Sequence, residues 1–178
     1  MMYPLYLYHG SLHKLEILEP KISKGDSEPL VYATDRFEFA LFYAGNATTD
    51  LEINQSYYNG VFTLTEIMPG MFRKVLDRPG YIYCLDASTF ERIDDKMFVS
   101  REAVMPEKVL RIPNILQKLK SVSTKMYRFP NLPHYIKSRS AYAEERCRLF
   151  HSDFEEWKQE YDCLYREWRH RHDTTGKA

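Results

Sequence analysis

The sequence predicts an α+β protein, with a strand-rich region over residues 1–113 and a helical extension over residues 114–178. Three observations carry this prediction. From Tyr3 to Ile112, short β-branched and aromatic runs alternate with Gly, Pro and Asp. One short helical pattern interrupts them after Thr34. Beyond Pro113 glycine vanishes until Gly176, and charged residues alternate with large aromatics at helical spacing.

The first strand signal contains Leu5, Leu7 and His9, which alternation places on one face, so the histidine ends an apolar stripe. Further strands are expected over residues 30–34, 60–65, 80–85, 97–100 and 108–112. Asp35-Arg36-Phe37-Glu38 has the spacing of a capping box, which predicts a short helix ending near Gly45. In the extension one helix is expected over roughly residues 114–127, and Phe129-Pro130-Asn131-Leu132-Pro133 breaks it. A longer helix then runs to about His170. Within it Phe150, Phe154, Trp157, Tyr161, Leu164 and Trp168 recur at alternating steps of four and three, which makes one apolar seam. The seam is expected to pack on the protein's own sheet or first helix; pairing with a partner's helix is the second reading.

At 178 residues and 44% hydrophobic content, the chain has enough apolar material for a core of one domain with an extension. No stretch of about 18 apolar residues suggests a membrane span, and Met1-Met2-Tyr3-Pro4 begins no basic-then-apolar leader. A cytoplasmic protein is therefore expected. Cys84, Cys147 and Cys163 form no CxxC and cannot all pair with one another, which suits a reducing compartment. Two matches to the glycosylation sequon, at Asn46 and Asn54, are read as chance. Net charge is zero, yet residues 1–106 hold 10 Lys and Arg against 15 Asp and Glu, whereas residues 107–178 hold 15 against 10. An acidic front and a basic tail predict surfaces of different character.

Cleaving a nicotinamide–ribose bond sets specific demands on side chains, because positive charge builds on the sugar as the leaving group departs. Aromatic faces hold the nicotinamide by stacking, a residue without bulk lets backbone groups meet its carboxamide, and a side-chain acceptor fixes a ribose hydroxyl. A carboxylate near the sugar stabilises the cation, as in glycoside hydrolysis. Tyr8-His9-Gly10-Ser11 at a strand end, then Val31-Tyr32-Ala33-Thr34 with Tyr43 eleven residues after Tyr32, offers the first of these groups in order.

This arrangement resembles the ADP-ribosyltransferase superfamily, in its diphtheria-toxin and poly(ADP-ribose) polymerase branch with His-Tyr-Glu motifs. The resemblance spans roughly the first 112 residues and implies a split β-sandwich with NAD as substrate. It further implies that His9 binds a ribose hydroxyl, Gly10 presents backbone to the carboxamide and Ser11 adds a hydroxyl contact. Tyr32 and Tyr43 sandwich the nicotinamide, with Ala33 beside them. The family's third motif is a glutamate at the start of a late strand. Here Asp95, Met97 and Glu102 compete for that position, so Asp95 and Glu102 are the candidate catalytic acids. Aspartate reaches one methylene less far than glutamate, which costs rate where reacting groups need close placement.

Arg36 and Arg101 are candidates for the NAD phosphates, since a guanidinium forms paired hydrogen bonds with such groups; surface ion pairs account for them equally. No Walker or Rossmann glycine loop is present. His9 and His13 form HxxxH without further ligand spacing, so no metal is expected. Three functions follow from these readings. The first is an NAD-dependent enzyme passing ADP-ribose to protein, nucleic acid or water. The second is a relative of the RNA 2′-phosphotransferases, although their second-motif histidine is replaced at Tyr32. The third is a binding module that keeps the transferase fold without its acid.

Overall fold

A computed structural model describes residues 4–23, 26–45, 53–58, 60–128 and 154–173. The chain divides into two compact units, one drawn from residues 1–48 and 75–124 and the other from residues 49–74 and 125–178. The architecture is α+β with two sheets and few helices.

The first unit is built on an antiparallel six-stranded sheet. Its strands are β1 (Tyr6–Ser11), β2 (Val31–Thr34), β5 (Gly80–Asp86), β6 (Glu91–Arg92), β7 (Met97–Ser100) and β8 (Lys108–Ile112). They lie in the order β6-β7-β2-β1-β5-β8. One face carries one cluster of the core. Leu7, Val31, Ala33, Tyr83, Leu85 and Phe98 share it, with Leu18 and Val104 from the loops covering them. Burying each large apolar side chain there contributes roughly 1.5–3 kcal/mol. Leu5 is not part of the stripe: it precedes β1 and is 80% exposed, so the apolar face starts at Leu7.

The opposite face receives α1 (Phe37–Ala44). Tyr8 meets Phe37 edge-on at 5.5 Å. At Gly10 the helix backbone comes so near that a Cβ there would run into the Ala40 carbonyl and stand 2.7 Å from the Ala44 nitrogen. Glycine is thus the residue that lets α1 lie down on β1. The helix ends at Gly45 as expected, but the capping box does not form. Arg36 is the N-cap and gives no side-chain cap; instead Thr34 Oγ1 accepts the Arg36 N–H at 3.1 Å.

α2 (Ile115–Ser121) packs on α1 and is capped by Asn114, whose Oδ1 accepts the Gln117 N–H at 2.9 Å. The helix expected to reach Tyr127 stops at Ser121. Val122 is already extended, and Thr124–Tyr127 forms β9, because β4 offers this segment a sheet partner. In the second unit β3 (Ile53–Tyr58) and β4 (Val61–Glu66) make a hairpin, and β9 lies beside β4. Tyr58 pairs with Val61, leaving a two-residue loop whose Gly60 has φ +75°. Ile53, Phe62, Leu64 and Met68 form buried positions of this unit, and buried Glu66 accepts the Phe72 N–H at 2.9 Å. α3 (Phe154–Asp173) extends the expected long helix to Asp173. The side chains of Phe154, Trp157, Tyr161, Leu164 and Trp168, and the whole of Phe150, fall outside what is described. Among the described residues no helix is long and apolar enough to cross a membrane.

Candidate functional site

The sheet order brings the strand of each motif beside the next: β1 with His9, β2 with Tyr32, and β7, the late strand, run as neighbours β7-β2-β1. β1 pairs with β5 through six partnered steps but with β2 through one, Tyr8 with Thr34. Past that step a side chain bridges the two strands. His9 Nδ1 lies 2.7 Å from the Tyr32 carbonyl oxygen. A carbonyl only accepts, so Nδ1 carries the hydrogen, and the neutral ring keeps Nε2 as an acceptor. No described residue hydrogen-bonds Nε2. Burial holds the His9 pKa below its ordinary value; the bond to Tyr32 opposes that shift, and the Lys21 charge adds to it. At neutral pH this imidazole therefore accepts.

Beside His9 on β5 stands Tyr83, its partner in register, with ring centroids 6.0 Å apart. The Tyr83 hydroxyl donates to the His13 carbonyl and accepts the Leu15 N–H, both at 2.7 Å. These bonds tie the loop after β1 onto the core face, and burial pushes the Tyr83 pKa up. Ser11 Oγ accepts the His13 N–H at 3.1 Å, so this hydroxyl closes a turn.

Alternation separates the motif side chains onto two faces. Leu7, His9 and Ser11 point to the core face, while Tyr8 and Gly10 point to α1. Val31 and Ala33 are core residues, and Thr34 is the partner of Tyr8, so Tyr32 points to the α1 side. Tyr43 is on α1, 38% exposed, packed edge-on against Phe39 at 4.9 Å and Phe42 at 5.5 Å. The two phenols thus belong to one side of the sheet, and the imidazole reaches the Tyr32 backbone from the other. Ala33, 3% exposed, belongs to the hydrophobic core.

Tyr32 has a partner that spacing did not indicate. Its hydroxyl donates to Asp26 Oδ1 at 2.6 Å, and Asp26 Oδ2 accepts the Ser23 N–H at 3.1 Å. Burial, then the bond to Asp26 and its charge, push the Tyr32 pKa up to about 12. The only signal in the sequence was indirect: Asp26 lies six residues before a tyrosine already singled out.

The candidate acids stand apart from this group. β7 begins at Met97, whose partner across the ladder is Thr34, so the strand's first residue is not an acid. Asp95 is exposed in the β6–β7 turn, where its carbonyl accepts from Arg92 Nη2 at 2.8 Å and neighbouring Asp94 caps the Lys96 and Met97 N–H groups. Glu102 is exposed past the far end of β7, its N–H donating to Ser100 Oγ at 3.1 Å. Arg36 Nε lies 3.6 Å from Asp35 Oδ1. Arg101 is engaged on the surface: it forms a two-pronged pair with Glu28 at 2.9 and 3.1 Å, and a third bond to Glu91 at 2.9 Å. Those carboxylates raise its pKa further. Among the described residues no three His, Cys, Asp or Glu side chains group as metal ligands.

Compared with known proteins, the chain matches no family model, no curated protein and no solved structure.

Proposed function

We propose that this protein is an ADP-ribosyltransferase-like, NAD-binding protein of the split β-sandwich type. Nicotinamide stacks with Tyr32 and Tyr43 on the α1 side, and a ribose hydroxyl donates to His9 Nε2. The dinucleotide lies across the place where β1 and β2 stop pairing. The observation that carries this reading is the His9–Tyr32 link at the open end of that ladder. It fixes the tautomer that leaves an acceptor for a hydroxyl, and it does so between the first two motif strands. As an enzyme the protein passes ADP-ribose to a protein, a nucleic acid or water.

A second reading is favoured by one observation. Met97 heads β7, and Asp95 and Glu102 sit in exposed turns at its two ends. With no acid at the strand start, stabilisation of a sugar cation has no evident source. The same site then binds NAD without cleaving it. Calorimetric titration with NAD, run beside an assay of nicotinamide release, decides between the two. Release assigns the transferase, and its loss in Asp95→Asn or Glu102→Gln names the acid. Binding without release assigns the binding module, and absence of binding rejects both.

A further inference from the structure

A carboxylate in contact with one of the candidate stacking tyrosines is Asp26, which lies outside the third-motif region. Both of its oxygens are engaged, one by the Tyr32 hydroxyl at 2.6 Å and one by the Ser23 N–H at 3.1 Å. The acid is thereby fixed at the far end of the phenol, and the phenol's orientation is fixed with it. A hydroxyl donating to a carboxylate at this distance makes a charge-assisted bond. Such a bond leaves the ring richer in electrons, and the acid adds a negative charge at the ring's edge. A neutral dihydronicotinamide gains little from either. The pyridinium of oxidised NAD gains from both, through Coulomb attraction and through cation–π attraction to the ring face.

We propose that Asp26 is a specificity-determining residue which, acting through Tyr32, makes the site prefer oxidised NAD to NADH. This rests on the reading of the site as NAD-binding. Asp26 touches no reacting atom in this account; it orients and polarises the ring that does the stacking. A merely structural role, pinning the loop before β2, predicts a different outcome, because loosening that loop weakens both nucleotides in step.

The test is titration of NAD and of NADH into the full chain, the Asp26→Asn and Tyr32→Phe variants and their combination, with circular dichroism as the check on folding. The wild-type protein is expected to favour NAD over NADH by roughly tenfold. Each variant brings the ratio towards unity, and the double variant goes no further than Asp26→Asn alone, which already removes both the bond and the charge. A ratio that survives in both variants, or a wild-type protein that binds the two forms equally, overturns the inference and leaves the NAD site standing. Binding of neither nucleotide by the wild-type protein overturns the site itself and the inference with it. If Asp26→Asn does not fold, Tyr32→Phe decides alone, since it keeps the ring and the Asp26–Ser23 bond and removes only the hydroxyl.

Discussion

The surroundings of His9 and the two ends of β7 are built in opposite ways. His9, Tyr32 and Tyr83 each have a polar group locked by a bond of 2.6–2.7 Å to a residue far along the chain, apart from the shorter span to Asp26. Asp95 and Glu102 lie in turns held by bonds within three residues, and their own side chains are exposed. Side chains ordered by long-range contacts are ready to meet a ligand, because the entropy of fixing them has been offset during folding. Side chains on short exposed turns are not. The half of the site proposed to grip a nucleotide is therefore prepared, and the half proposed to cleave one is not.

Breaking the prepared half gives the largest effects. Gly10→Ala forces a methyl group into the α1 backbone, and we expect a loss of about 3 kcal/mol in chemical denaturation, together with loss of NAD binding. Wild-type stability in that variant shows that α1 has room to retreat and contradicts the packing described. Tyr32→Ala removes one stacking face and is expected to weaken NAD by roughly 1–3 kcal/mol in calorimetry, with the fold retained. An unchanged affinity places the nicotinamide elsewhere.

A pH series sharpens the contrast further. The folded state holds the His9 pKa below the ordinary 6.5, so the unfolded chain takes up a proton that the folded chain refuses. Stability from this group is complete above pH 6.5 and is lost as pH falls towards the depressed folded value. The thermal midpoint should fall on acidification through that window, and His9→Gln, which keeps a donor for the Tyr32 carbonyl, should flatten the slope. An equal slope in the variant assigns the acid sensitivity to other groups. The smallest effects belong to the unprepared half: Asp95→Asn and Glu102→Gln should each change stability by no more than about 0.5 kcal/mol and leave NAD affinity unaltered. A tenfold change in affinity from either would bring that acid into the site.

What the sequence revealed follows the range of the forces involved. The strands with β-branched or aromatic runs, β1, β2, β4, β5, β7 and β8, were legible because their own residues favour extended backbone. β3, with Asn54-Gln55-Ser56 at its centre, and β9, with Lys125, were not, since their extension depends on a neighbour in the sheet. Asn59-Gly60 between β3 and β4 is a hairpin signal that the strand expectations above did not use. At the site the sequence offered residue types and order. It did not offer the His9–Tyr32 bond, which depends on how β1 and β2 diverge, or the Tyr32–Asp26 bond, which depends on the path of a loop. Gly10 shows a further gap: its glycine was expected for a ligand, and the approach of α1 already requires it.

The unequal fastening of β1 has a mechanical consequence. Six rungs hold it on one flank and one rung on the other, so the weakest seam of the sheet runs between its central strands. Backbone amides bordering that seam should exchange with solvent sooner than those facing β5. A dinucleotide lying across it would act as a suture, joining the halves of the sheet into one panel.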